Sequence, residues 1–117
     1  MKKVMIVEDD EGIMEAMQAA FEMEGYETLA LTNAKHVMTH ITEWKPDIII
    51  LDYLLSGMNG KEICSEIKTS KATSAIPVIM LSAHPNAKNE IGTCADAFMP
   101  KPFDLFDLIH RADELIR

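Results

Sequence analysis

Short apolar runs alternate with longer stretches of helical periodicity along the chain. "KVMIV" (Lys3–Val7), "YETLAL" (Tyr26–Leu31), "DIIIL" (Asp47–Leu51), "IPVIML" (Ile76–Leu81) and "AFM" (Ala97–Met99) read as five strands. The third and fourth runs are apolar on both faces, the pattern of parallel strands covered on both sides. Tyr26–Leu31 is more polar and belongs at an edge. The last run is short and stopped by Pro100, which places it at the other edge. Between the strands, Ile13, Met14, Met17, Ala20 and Phe21 form one stripe over Glu11–Glu24, with Gly25 as the stop. Val37, Met38 and Ile41 form a second over Ala34–Trp44, ended by Lys45–Pro46. Ile63, Cys64 and Ile67 share a side of Lys61–Thr69. Leu105, Leu108, Ile109, Ala112, Leu115 and Ile116 recur at helical spacing over Leu105–Arg117, with Asp104 as N-cap. The segment after the fourth strand, "SAHPNAKNEIGTCAD", has Pro85, Gly92 and little periodicity, and predicts a short fourth helix.

Five strand–helix alternations predict an α/β fold, a doubly wound (βα)5 three-layer sandwich. Right-handed crossovers place helices on both faces of a parallel five-stranded sheet. The expected order is the flavodoxin-like 2-1-3-4-5. The length of 117 residues fits one domain over 1–117. A net charge of -8 argues against direct nucleic-acid binding, which needs clustered Lys and Arg. No segment approaches the length of a membrane span, so no membrane association is expected and the predicted location is cytoplasmic. Cys64 and Cys94 have no metal-ligand spacing and read as free thiols in a reducing compartment.

Functional groups in such sheets gather at the carboxyl ends of the strands. Strand one ends in Glu8, Asp9, Asp10 and Glu11. Asp52 stands one residue past strand three, Ser82 and Ala83 follow strand four, and Lys101 follows strand five. In the order 2-1-3-4-5, Glu8, Asp9, Asp52, Ser82 and Lys101 converge on one rim. Three carboxylates there stay ionised only when cations offset them. Lys101 supplies one positive charge, and the remainder reads as an open, all-oxygen site for Mg²⁺. Asp52 is then a carboxylate nucleophile able to form an acyl phosphate. A phosphoryl group on it needs electrostatic help from the metal, the lysine and a hydroxyl, the last supplied by Ser82.

The stretches "IVEDDEG" (Ile6–Gly12), "DIIILDYLLSGMNG" (Asp47–Gly60), "VIMLSA" (Val78–Ala83) and "PKPF" (Pro100–Phe103) come in order and at specific spacings. Through them the sequence resembles the receiver domain of two-component response regulators over essentially its whole length. The resemblance implies a phosphoacceptor signalling module of a phosphorelay and not an enzyme, with at most weak self-catalysed phosphotransfer and autodephosphorylation. Asp52 would accept a phosphoryl group from a phosphohistidine on a histidine kinase or a histidine phosphotransfer protein. Asp9 and Asp52 would bind Mg²⁺ directly, the backbone carbonyl of Leu54 would be a third ligand, and Glu8 would act through water. Ser82 would hydrogen-bond the phosphoryl group and Lys101 would pair with it. Ser82 and Phe98 would form the switch, the ring rotating as Ser82 moves. Lys101–Pro102 should be a cis peptide. Output would pass to a downstream effector protein or a fused output domain.

The sequence departs from the family's usual pattern in places. Ser56 stands where Pro is common, Asn59 replaces an Asp, Glu8 replaces the commoner Asp, and Cys94 occupies the usual Gly of a "GAD" turn. The stretch from Ser82 to Lys101 is about three residues short of the usual family length, nearly one helical turn. His84, two residues past Ser82, is expected over the site, where with Leu54 it would govern water access. Rival readings fit less well. A degenerate receiver that binds partners without phosphorylation is argued against by the intact Glu8, Asp9, Asp52, Ser82 and Lys101 set. A flavin module needs a phosphate cradle where this chain has four acids. A phosphatase with an Asp nucleophile needs a general acid where this chain has Leu54.

Overall fold

The computed structural model describes residues 1–55, 58–83 and 94–116, without the side chain of Met58. In chain order the elements are β1 (Lys3–Val7), α1 (Glu11–Met23), β2 (Glu27–Leu31), α2 (Val37–Trp44) and β3 (Ile48–Asp52). There follow β4 (Leu54–Leu55), β5 (Met58–Asn59), α3 (Gly60–Thr69), β6 (Val78–Ser82), β7 (Ala97–Pro100) and α4 (Leu105–Ile116). The helix expected after the fourth predicted strand falls largely outside the described residues, and so does His84.

The main sheet is parallel, in the order β2-β1-β3-β6-β7. This is the expected 2-1-3-4-5 topology, with β4 and β5 set aside as a separate antiparallel pair that the apolar pattern does not predict. Both expected edges are the edges found. β1, β3 and β6 are the interior strands, and every residue of β3 and β6 is buried. Because a strand alternates its side chains, these strands feed two cores. Met5, Val7, Ile49, Leu51, Val78 and Met80 pack with Val37 and Ile41 of α2 and with Ile63, Cys64 and Ile67 of α3. Val4, Ile6, Ile48, Ile50, Ile79 and Leu81 pack with Met17 and Phe21 of α1 and with Leu108, Ile109 and Ala112 of α4.

Capping fixes where the helices begin relative to the strand ends. Asp10 accepts from the Ile13 N–H at 3.0 Å, Asn59 from Glu62 at 3.1 Å, and Asp104 from Phe106 at 2.8 Å. Gly25, at φ 88°, closes α1 as expected. Strand ends shift by a residue or two from the sequence reading: β2 begins at Glu27, β3 at Ile48 and β6 at Val78, and β7 includes Pro100. Three further differences concern helix starts and the site. α2 begins at Val37 and not at Ala34, because His36 adopts a left-handed conformation (φ 63°) that helical backbone does not continue through. α3 begins one residue early, at Gly60. Asp52 is the last residue of β3, paired in register with Leu81, and not a residue beyond the strand.

Candidate functional site

The rim formed by the carboxyl ends of β1, β3, β6 and β7 carries the charged residues. β1 stops at Val7, and the next N–H, that of Glu8, still donates to Leu31 O at 3.0 Å, so Glu8 continues the strand line. Its side chain is fully buried, whereas Asp9 beside it is exposed and Asp10 is committed to capping α1. Asp52 is held by strand pairing on its backbone and is 5% exposed. The next residue, Tyr53, donates its N–H to Leu81 O at 2.8 Å, and Leu54 N–H reaches Asp52 Oδ1 at 3.4 Å. On the far side, Lys101 N–H donates to Ser82 O at 2.8 Å, which locks the start of the loop after β7 to the end of β6. The Lys101–Pro102 peptide is cis, as expected.

These backbone ties bring the sequence-distant charges together. One carboxylate oxygen from each of Glu8, Asp9 and Asp52 lies within 4.8 Å of the others. Lys101 Nζ donates to Glu8 Oε1 at 2.6 Å and sits 3.3 Å from Asp52 Oδ2. Burial pushes the Glu8 carboxyl up to about 7, aided by the neighbouring Asp52 carboxylate and opposed by Lys101. Burial pulls on Lys101 in the opposite sense, but the hydrogen bond to Glu8 and the charges of Asp52 and Glu8 outweigh it, and its pKa is raised. Lys101 is therefore a firmly protonated bridge between two carboxylates.

The donor set fits a hard divalent cation. It is all oxygen, and its three carboxylates outweigh the single ammonium. Among the described residues Glu8 Oε2 is buried without a hydrogen-bond partner, an acceptor left over after Lys101 has taken Oε1. A buried acceptor in that state costs free energy that a cation or its water shell relieves.

The remaining predicted residues are placed less uniformly. Ser82 ends β6, neighbour of β3, and is buried. Leu54 follows the rim in the β4–β5 pair, its side chain 56% exposed. Phe98 is not at the rim: it pairs with Met80 inside the sheet and packs, half-buried, against the core beneath α2 and α3. One positioning residue is absent from the sequence reading. A Cβ at Gly60 would lie 2.5 Å from Asp52 O and 2.9 Å from Tyr53 Cα, and Gly60 N–H donates to Tyr53 O at 2.6 Å. The helix start presses directly on the backbone of Asp52. The signal available in the sequence was the glycine itself, in "MNG" just before a helical stripe. Lys101 also lines an open cleft of about 460 Å³, together with Gly12, Ile13, Ala83, Pro102 and Phe103 among others.

Known proteins share both sequence and architecture with this chain. The family description "Response regulator receiver domain" matches residues 4–113. The phosphate regulon transcriptional regulatory protein PhoB of Pseudomonas aeruginosa is 36% identical over 99% of this chain and 52% of its own length. The chain thus spans about half of that relative. Among solved structures, the receiver domain of a signal transduction histidine kinase from Syntrophus aciditrophicus superposes with a TM-score of 0.88 at 29% identity, over 99% of this chain and 90% of that one. The response regulator TrrA of Thermotoga maritima, solved in complex with Mg²⁺-BeF, gives 0.89 at 26% identity, over 98% and 99% of the two chains. With the family match spanning nearly all of the chain and a relative at 36% identity, the chain belongs to the response regulator receiver domain family.

Proposed function

We propose that Asp52 is the phosphoacceptor of a two-component signalling pathway and that the chain switches a protein-interaction surface when it is phosphorylated. The observation that carries this is the pairing of Lys101 with both Glu8 and Asp52 inside a cluster of three carboxylates. A carboxylate oxygen of Asp52 attacks the phosphorus of a phosphohistidine on a partner kinase or phosphotransfer protein. The P–N bond breaks, the phosphoryl group passes to Asp52 as an acyl phosphate, and the freed imidazole nitrogen takes up a proton. Burial of the strand behind Asp52 holds the nucleophile still, while its exposed neighbours Asp9 and Leu54 leave an approach open.

Asp9, Asp52 and the Leu54 carbonyl would hold Mg²⁺, with Glu8 acting through its water shell. When bound, the cation supplies charge neutralisation for the transferring group and for the crowded carboxylates. Lys101 turns its ammonium from the carboxylates toward the phosphoryl oxygens, a short movement given its present distance of 3.3 Å from Asp52. Ser82, at the end of the neighbouring strand, donates its hydroxyl to the same group. Its displacement leaves room for Phe98, two residues up the adjacent strand β7 from Pro100, the register partner of Ser82. The phosphoryl group shifts this equilibrium only by its differential affinity for the two arrangements.

The test is labelling by a small acyl phosphate. The parent chain should incorporate one phosphoryl group in the presence of Mg²⁺ and none after chelation. Asp52→Asn should not incorporate it under either condition. Equal incorporation in the parent and Asp52→Asn overturns the assignment.

A further inference from the structure

A second pair of reactive side chains lies away from the rim. Cys64 projects from the middle of α3 and is fully buried, while Cys94 is half-buried in the segment that enters β7. Both pack in the apolar cluster between the sheet and the α2–α3 layer, and the Cys94 thiol lies near enough to Cys64 to help raise its pKa. The segments that carry them are already tied at a fixed spacing. Lys68, one turn along α3 from Cys64, pairs with Asp96 Oδ2 at 2.7 Å and donates to Ile76 O at 2.8 Å. Asp96 in turn accepts the Val78 N–H at 2.8 Å and donates its own N–H to Val78 O at 2.9 Å. The two thiols therefore sit in one packing layer on segments held together by an ion pair and a strand contact.

We propose that Cys64 and Cys94 are a redox pair that closes into a reversible intramolecular disulfide under a hydroperoxide, clamping α3 to the entry of β7. Cys94, the more exposed sulfur, meets the oxidant first. Its sulfur attacks a peroxide oxygen, the O–O bond breaks, the thiol proton passes to the leaving hydroxide, and Cys94 becomes a sulfenic acid with release of water. The Cys64 sulfur then attacks the Cys94 sulfur, the S–O bond breaks, and a second water leaves with the Cys64 proton. Two thiols and one hydrogen peroxide thus give one disulfide and two waters. A low-molecular-weight thiol restores the starting state by exchange. Burial holds the Cys64 thiol well above its ordinary range, with the neighbouring Cys94 adding to it, so Cys64 is shielded from direct oxidation, and its role as resolving partner rests on its nearness to Cys94. The pair lies at the amino end of β7, whereas Lys101 follows its carboxyl end, so the clamp acts on the strand that carries Phe98 without touching Asp52. This inference goes beyond the phosphoacceptor reading and is independent of it.

The experiment is peroxide treatment of the full chain without metal, followed by alkylation and intact-mass measurement. The expected product is a monomer lighter by two hydrogens, with no alkylatable thiol after unfolding and one fragment joining the Cys64 and Cys94 peptides. A dithiol should reverse the mass change, and the oxidised chain should melt at a higher temperature than the reduced one. Cys64→Ala should stop at a Cys94 sulfenic acid that a cyclic 1,3-dione traps, and Cys94→Ser should keep Cys64 reduced. Two free thiols after oxidation, disulfide-linked dimers alone, or over-oxidised Cys94 with Cys64 still alkylatable would each overturn the proposal. The decisive sample is the parent chain, so a variant that fails to fold leaves the result intact.

Discussion

Glu8 is a fully buried carboxylate that sits between a lysine and a second acid, and its titration should be visible in the stability of the chain. Its folded pKa, about 7, lies above the ordinary 4.5. A raised carboxyl stabilises the folded state fully below the unfolded value, where Glu8 is protonated in both states. That contribution is lost as pH rises through the folded value, because the unfolded chain gives up the proton more readily. The metal-free chain should therefore lose up to about 3 kcal/mol of unfolding free energy from this group between about pH 4.5 and pH 7.5. Denaturant midpoints across that range measure it. Glu8→Gln should flatten the profile, and saturating Mg²⁺ should shrink it in the parent by favouring the ionised cluster. A parent profile that matches Glu8→Gln at every pH rejects the account. Much of the site at this scale was legible in the sequence, because Glu8, Asp9, Asp52, Ser82 and Lys101 each stand at or just past a strand end, where topology alone brings them near. The direct Glu8–Lys101 contact was not, since strand ends fix backbones and not which of three acids a long side chain chooses. Phe98 shows the same limit: its strand position was readable, while its packing into the α2–α3 core depends on neighbours far away in the chain.

At the scale of elements, the junction of β3 and α3 is the tightest place in the fold. The backbone atoms that would meet a Cβ at Gly60 belong to Asp52 and Tyr53 and cannot swing aside as a side chain can. Gly60→Ala should push the first turn of α3 away from β3, lower stability by about 1–3 kcal/mol and slow acyl phosphate labelling of Asp52. Gly12→Ala is the contrasting case. Its Cβ would lie 3.4 Å from Asp10 Oδ1, an ordinary contact, at an exposed position of α1. That change should leave stability unchanged or raise it by less than about 1 kcal/mol. Thermal melts of the two variants decide the matter, and equal destabilisation of both would mean that helix propensity and crowding have been misjudged. The same junction shows what periodicity can and cannot find. The stripes that mark α1, α3 and α4 are long enough to be read directly. The β4–β5 pair is too short to show any period, and the start of α2 was misplaced because His36 turns left-handed without a glycine to announce it.

At the scale of the whole molecule, the sheet divides the interior into two separate cores, and this division makes a prediction about coupling. Ile49 and Ile50 are neighbours in β3 yet face opposite sides, Ile49 toward α2 and α3 and Ile50 toward α1 and α4. Ile50 and Ile79 are distant in sequence, but they stand opposite each other across β3 and β6 and share one core. Each Ile→Val change removes one buried methylene and should cost about 0.5–1.5 kcal/mol. The double variant Ile49→Val/Ile50→Val should equal the sum of its singles to within about 0.5 kcal/mol, because the two voids open into different packing layers. Ile50→Val/Ile79→Val should depart further from its sum, since the second void adjoins the first and the surrounding side chains relax into both together. The two-faced burial of β3 and β6 was readable from their unbroken apolar runs, while the strand order came from the flavodoxin-like expectation. Which residues share a core follows from register, which a parallel sheet sets through contacts the sequence does not display. Chemical unfolding of the four single and double combinations in each cycle measures both couplings. If the adjacent pair couples as strongly as the cross-strand pair, the sheet transmits packing strain through its own thickness, and the two cores respond as one.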